Sequence, residues 1–360
     1  MKPLGTQVLA EFFNCSKDIL NDKDAIEKAL CDGIERYDLG LIGINSHCYE
    51  PLGLTSIAVI SESHVAVHTY PEARHASLDI YTCSRDTSKS MALLTYLKTI
   101  LDPGKTRVAE MTRGIPIDIK TSDWVLDNSD ADGFDIRYHI KNPVFHTVSA
   151  YQDIRIIDNV NFGRMLFLDN ELQIAESDAH LYNASMVSPI IENGCPLADI
   201  AILGGGDGGV LHELLTHNPA SATLIDIDKE VVDAARRFLP GICHEAFDDD
   251  RVTVVHDDVF TFLKDDHRFD AIIYDLTMHP EAFIVMERES YLHQLFTKIR
   301  DSLRPGGCAT FQCCSEFDRE TYALINRLLA DIFPFLSFKS TYIPSFCAAW
   351  TFATIFTGAD

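Results

Sequence analysis

Apolar and polar positions alternate along residues 4–14 (LGTQVLAEFFN), a period that predicts a strand. The period then lengthens. Ile26, Ala29, Leu30, Ile34 and Tyr37 share one face of a predicted helix, and Asp22 is placed to cap it. Strand patterning returns at Leu39–His47, Leu54–Ile60 and Ala76–Cys83, with the polar stretch Ser61–Glu72 (SESHVAVHTYPE) before the last of these, and a second helix surrounds Met91–Leu101. A sheet with two helices predicts an α+β sandwich domain, residues 1–118. Acidic and turn-forming residues crowd the region that follows, which predicts a linker over 119–137. Residues 138–185 read as a small antiparallel β domain, with Asn161-Phe162-Gly163 and Asp169-Asn170 as its turn signals. From 186 to 360, strands at Ala198–Leu203, Ala222–Ile227, Val252–Val255, Ala271–Tyr274, Cys308–Cys313 and Trp350–Phe356 alternate with helical segments, the pattern of an α/β, Rossmann-like, doubly wound sheet.

One stretch in this last region carries chemistry on its face. The apolar strand ending at Leu203 runs into Gly204-Gly205-Gly206-Asp207-Gly208-Gly209 and then a helix, so a tight backbone turn and unpaired N–H groups face a ligand. The next strand ends in Asp226 and Asp228, about 20 residues on, where a carboxylate can accept both ribose hydroxyls. Asp207 inside the loop would repel a pyrophosphate. The expected ligand is therefore a nucleoside that carries positive charge, a sulfonium or an amine, rather than NAD.

Charge agrees with that reading and excludes other partners. The 360 residues hold 30 Lys and Arg against 54 Asp and Glu, a formal net charge of −24, which argues against nucleic acid and anionic membrane surfaces. Ten cysteines are scattered without metal-ligand spacing, and the N-terminus has no basic region followed by an apolar run. The expectation is a reduced, cytoplasmic protein with no metal site and small-molecule substrates.

Glu62-Ser63-His64, then His68-Thr69-Tyr70-Pro71-Glu72, then Thr82-Cys83 ending a strand: this constellation resembles the bacterial-type pyruvoyl S-adenosylmethionine decarboxylase proenzymes, from Met1 to about Leu101. The resemblance implies that the chain cuts itself between Glu62 and Ser63 and converts Ser63 to a pyruvoyl group. That carbonyl would form a Schiff base with the substrate amine and act as electron sink when carbon dioxide leaves. It assigns His68 to proton abstraction during self-processing and Cys83 to proton donation at the decarboxylated carbon. Five residues along a straight strand span about 16 Å, so His68 meets Ser63 only if the chain bends or another strand intervenes. Thr55 stands where the family usually has serine.

From Tyr151 onward the chain resembles the polyamine aminopropyltransferases, the spermidine and spermine synthases. The likeness is carried by Tyr151-Gln152, Gln173, Asp178 with Tyr182, the loop holding Asp207, and Pro344 with Trp350. It implies transfer of the aminopropyl arm of decarboxylated S-adenosylmethionine to an amine, with methylthioadenosine leaving and no metal needed. Gln173 and Asp207 would hold the cationic arm, Asp226 the ribose and Asp258 the adenine amino group, with Gln152 and Asp178 also at the substrates. A protonated acceptor amine cannot attack until a carboxylate takes its proton, and Asp275, with Tyr182 as hydrogen-bonding partner, is placed for this. Both families form dimers or larger assemblies, so a homo-oligomer, dimer or tetramer, is expected.

Departures bear on the acceptor. Asp275-Leu276-Thr277-Met278-His279-Pro280 lacks the second acid usual in spermidine synthases and is similar to the spermine synthases; Ala184 replaces a usual glutamate and Phe346 a usual tyrosine. The reading is a bifunctional enzyme that decarboxylates S-adenosylmethionine and passes the aminopropyl group to putrescine. The alternatives are a transferase with an unprocessed dimerisation domain, an N-terminal domain acting on ornithine or arginine, a nonenzymatic polyamine-binding protein and an ordinary methyltransferase.

Overall fold

The computed structural model describes residues 2–84, 86–115, 123–127, 133–263, 268–280 and 286–357, and divides into two compact units, Met1–Thr121 and Ser122–Asp360.

In the first unit, six antiparallel strands lie in the order Leu41–Cys48, Leu54–Ile60, Ser63–Tyr70, His75–Thr82, Lys2–Phe13 and Lys105–Ile115. Helices Lys23–Arg36 and Ser88–Leu101 cover one face. Asp22 caps the first of them through the Ala25 N–H, and Ile26, Ala29, Leu30 and Ile34 are buried as the period predicts. They pack with Leu93, Leu94 and Leu97 of the second helix against Val8, Leu54, Ala58, Val65, Leu78 and Ile80 of the sheet. Among the described residues the opposite face of the sheet carries no helix, and there Ile57 and Val59 are 42% and 47% exposed. The strand Lys105–Ile115 escaped the sequence reading. It pairs along almost the whole of Lys2–Phe13, and so closes this edge of the sheet.

In the second unit, two strands, Trp124–Asp127 and Ile136–His139, pair antiparallel, the first inside the stretch read as a linker and the second across its end at 137, which corrects that reading in part. Val125 and Tyr138 bury against Ile157, Met165 and Phe167, so burial of apolar residues turns this turn-rich segment into structure. A four-stranded antiparallel sheet follows, ordered Glu171–Ala175, Gly163–Leu168, Asp153–Asn159 and Asn142–Val148. The seven-stranded sheet runs Val252–Val255, Ala222–Ile225, Ile200–Gly204, Phe269–Asp275, Leu303–Ser315, Ala348–Phe356 and Phe335–Ile343. The first five strands are parallel and the last two antiparallel.

Both faces of this sheet are buried. Ile200 and Ile202 enter one apolar core with Val210, Leu214 and Val231, while Ala201 and Leu203 enter another with Leu292, Leu295 and Phe296. That two-sided burial is why these strands read as continuous apolar runs. The chain leaves Ile200–Gly204 toward one neighbour and returns on the other side as Phe269–Asp275, which makes their carboxyl ends the topological switch point. Cys195 and Cys308 lie in this core with Cα atoms 6.7 Å apart, within reach of a disulfide. Among the described residues no helix is long and apolar enough to cross a membrane.

Candidate active sites

In the first unit, Ile60 pairs directly with Ser63, so Ser61-Glu62 is the tip of a hairpin and the Glu62–Ser63 peptide lies where the chain turns. Ser63 has φ +147°, a region that residues with a side chain adopt rarely and at a cost of about 1–3 kcal/mol. Cross-strand pairing of Ser63 with Thr82 brings the Cys83 N–H to the Glu62 carbonyl oxygen at 3.0 Å. The carbonyl that a Ser63 attack must enter is thus already polarised by a donor. Ser63 Oγ lies 3.2 Å from His64 Nδ1.

His68 lies elsewhere. It sits further along the same strand, paired opposite Thr55 and Ser77 with no register shift from Ser63 to His68 on either side. Its Nδ1 is 2.9 Å from Thr55 Oγ1, which is 3.3 Å from the Tyr49 hydroxyl. The chain does not bend, and a straight strand holds His68 about 16 Å from Ser63. The structure therefore gathers Glu62, Ser63 and Cys83 and leaves His68 apart from them.

In the second unit a cavity of about 680 Å³ opens at the switch point. Gly204 and Gly206 are required by what presses on them. A Cβ at Gly204, whose φ is +82°, would fall 2.3 Å from the Asp275 carbonyl oxygen, and one at Gly206 would fall 2.5 Å from Asp226 Oδ2. The loop thus lies directly against the acidic ends of the two neighbouring strands. Asp207 accepts the Gly209 N–H at 2.8 Å, and Asp275 Oδ1 accepts the Tyr182 hydroxyl at 2.6 Å.

Of the expected substrate residues, Gln152, Gln173, Tyr182, Asp207, Asp226, Asp258 and Asp275 all line this cavity. Asp169, Glu171 and Asp257 add further carboxylates, and among the described residues no lysine or arginine lines the cavity. Burial pushes the carboxyls of Asp207 and Asp275 above the ordinary range, with Asp207 adding to the rise at Asp275, while the Tyr182 hydroxyl favours the ionised form. Burial raises Asp226 to about 6. A site that concentrates buried carboxylates without cations of its own is complementary to a cationic ligand. Among the described residues no group of three or more His, Cys, Asp or Glu side chains is arranged to hold a metal ion.

One placement differs from expectation. Asp178 does not line the cavity: both its oxygens are taken by Ser345, the N–H at 2.6 Å and the hydroxyl at 2.9 Å, so it anchors the turn before Phe346. Asp228, 2% exposed, accepts from Ser149, Gln152 and the Glu230 N–H, whereas Asp226 lines the cavity. Asp258 lines the cavity but also caps the helix Val259–Phe262 through two backbone N–H groups.

Sequence reading missed Gln312, whose amide donates to the Leu276 carbonyl and accepts from the Trp350 indole at 3.0 Å, tying the segment after Asp275 to the last strand. A lone amide within the apolar run of Leu303–Ser315 was the available signal. Phe346 stacks edge-on with Tyr182 and Trp350, so the aromatic wall forms without the usual tyrosine.

Comparison with known proteins covers both units. Residues 6–114 match the family model for S-adenosylmethionine decarboxylase, 124–176 the spermidine synthase tetramerisation domain and 185–360 the spermine/spermidine synthase domain. A polyamine aminopropyltransferase of Pyrobaculum neutrophilum is 37% identical over 204 residues, 55% of this chain and 69% of the relative. One from Pseudomonas aeruginosa is 31% identical over 62% of this chain and 65% of the relative. The fold is shared with the crystal structure of spermidine synthase from Thermotoga maritima (TM-score 0.59, 22% identity, 69% of this chain and 84% of that one). It is shared equally with a spermidine synthase solved with the transition-state analogue AdoDATO (TM-score 0.60, 23% identity, 69% and 85%). The chain belongs to the polyamine aminopropyltransferase family and carries an S-adenosylmethionine decarboxylase domain ahead of its synthase domain, which makes it a bifunctional enzyme of polyamine biosynthesis.

Proposed function

We propose that this chain cleaves itself between Glu62 and Ser63, decarboxylates S-adenosylmethionine, and transfers the aminopropyl group of the product to putrescine, giving spermidine and methylthioadenosine. The observation that carries the transferase half is the Tyr182–Asp275 hydrogen bond beside Asp207 in a cavity whose charged lining is acidic. Asp207 and Gln173 hold the donor's ammonium arm, Asp226 takes the ribose and Asp258 faces the adenine. Asp275 accepts the proton of the attacking amine, helped by a raised pKa that makes it a better base than an exposed carboxylate. Attack at the methylene beside the sulfonium neutralises that charge, so the leaving group needs no acid.

In the decarboxylase half, the residues around Ser63 fit a self-made pyruvoyl group: a strained backbone, an adjacent hydroxyl and a donor on the Glu62 carbonyl. Once formed, that group supplies the electron sink for loss of carbon dioxide. Cys83 lies beside it and donates the proton to the product carbon. His68 reaches Ser63 only from a second copy of the chain. The open sheet face presents Ile57, Ala66 and Asp79 in one row, with His64 on one side of it and His68 on the other. A two-fold axis through that row lays His68 of one copy over His64 of the other, next to Ser63, an isologous contact that also covers Ile57 and Val59.

Denaturing mass analysis with borohydride trapping tests the first half, and methylthioadenosine release with putrescine or spermidine as acceptor tests the second. Two fragments, the larger ending in a reduced pyruvoyl group, and faster turnover with putrescine are expected. An intact chain would remove the decarboxylase reading, and preference for spermidine would remove the acceptor.

A further inference from the structure

We propose that His64 is the base that activates Ser63 within its own chain, and that Asp79 orients it; this rests on the self-processing reading above. His64 Nδ1 is the ring nitrogen at 3.2 Å from Ser63 Oγ, while Nε2 faces Asp79 Oδ2 at 4.0 Å. A carboxylate on the Nε2 side, too far for a hydrogen bond, favours a proton on that nitrogen by its charge and so a bare Nδ1, the tautomer that accepts from a hydroxyl.

Asp79 is itself fixed. Its Oδ2 accepts the Gln7 amide at 2.8 Å, and Gln7 in turn accepts from Arg113 at 3.0 Å. Its Oδ1 is buried with no hydrogen-bond partner among the described residues, an acceptor available to a charged imidazole. The Tyr81 ring packs edge-on against His64, centroid to centroid 6.1 Å, and limits its rotation. Hydroxyl, imidazole and carboxylate thus stand in sequence on neighbouring strands, beside a carbonyl already held by the Cys83 N–H at 3.0 Å.

The step balances within the chain. Ser63 Oγ gives its proton to His64 Nδ1 and bonds to the Glu62 carbonyl carbon, and negative charge on the carbonyl oxygen is met by the Cys83 N–H. The carbon–nitrogen bond of the Glu62–Ser63 peptide then breaks as the Ser63 nitrogen takes that proton back from His64. An ester and a free amine result, isomeric with the starting peptide, and the strained φ of Ser63 is released. The subsequent removal of the Ser63 α-proton is a separate step and is left to His68 of the second copy.

The test follows freshly synthesised full-length chain in hydroxylamine, which splits the ester, so that esters and completed pyruvoyl products are both counted as scission between Glu62 and Ser63 by denaturing mass analysis. His64→Gln should slow total scission by at least about tenfold, and Asp79→Asn by a smaller factor. His64→Gly should be slow alone and accelerate with added imidazole, a response that a folding defect does not give. Scission of His64→Gln at the unsubstituted rate overturns the proposal, as does a His64→Gly chain that imidazole leaves unchanged. Failure of the unsubstituted chain to split at all would instead overturn self-processing, and this proposal with it.

Discussion

The two candidate sites are built by opposite means. In the second unit, side chains from residues 152 to 275 converge on one cavity, because parallel strands on either side of a switch point send their carboxyl ends to the same place. In the first, the functional groups lie along and across antiparallel strands on an open face, where register fixes each one's neighbours. Register brings Ser63 to Cys83 and His64 to the Tyr81 row, yet it holds His68 five residues away on the same strand. A parallel switch point can complete a site within one chain. An open antiparallel face completes one by meeting another face.

The strongest way to separate the two sites is reciprocal inactivation. Asp275→Asn should lower aminopropyl transfer from supplied donor by about 10²–10⁴-fold and leave scission at Glu62–Ser63 intact, whereas Ser63→Ala should abolish scission and carbon dioxide release while transfer from supplied donor persists. Loss of both activities in either variant would show that the sites are not independent. Next comes complementation. Ser63→Ala and His68→Ala chains should each fail to form the pyruvoyl group alone, and mixing them during folding should restore it on the His68→Ala chains. No restoration would place His68 outside the partner's site.

A smaller effect probes the cavity's electrostatics. Asp275 must be ionised to take a proton, and its pKa is held high by burial and by Asp207, so kcat/KM for transfer should fall as pH drops through that raised value. The Tyr182 hydroxyl favours the ionised form. Tyr182→Phe should therefore move the acid limb of the pH–rate profile to higher pH and cost roughly tenfold in rate, about the worth of one hydrogen bond. An unmoved acid limb would mean that Asp275 is not the titrating base. Smallest is the support beneath the aromatic wall. Asp178→Ala strands the Ser345 N–H and hydroxyl and should cost about 1–3 kcal/mol, read as a lower thermal midpoint, together with a higher KM for the acceptor and little change in donor affinity.

What the sequence by itself determined was whatever depends on local chemistry or on an unbroken period. Two-sided apolar strands announced the parallel sheet, Asp22 announced its helix, and the glycine run announced a close backbone approach, which the structure explains by the Asp226 and Asp275 contacts pressed against it. Gln152 and Gln173 were legible through the resemblance to the aminopropyltransferases, while Asp207, Asp226 and Asp275 stood out as acids at the glycine loop and at strand ends.

Only the tertiary structure decided what each acid does with its lone pairs. Asp178, Asp226 and Asp228 look alike in a sequence, but Ser345 fills the first, Ser149 and Gln152 bind the third, and the second, which accepts the Asp228 N–H at 2.9 Å, lines the cavity. Pairing register likewise decided that the Glu62–Ser63 peptide meets Cys83 rather than His68, and that Trp124–Asp127 is a strand rather than a tether. Hydrogen-bond capacity and strand register are shared between residues far apart in the chain, and no local period records them.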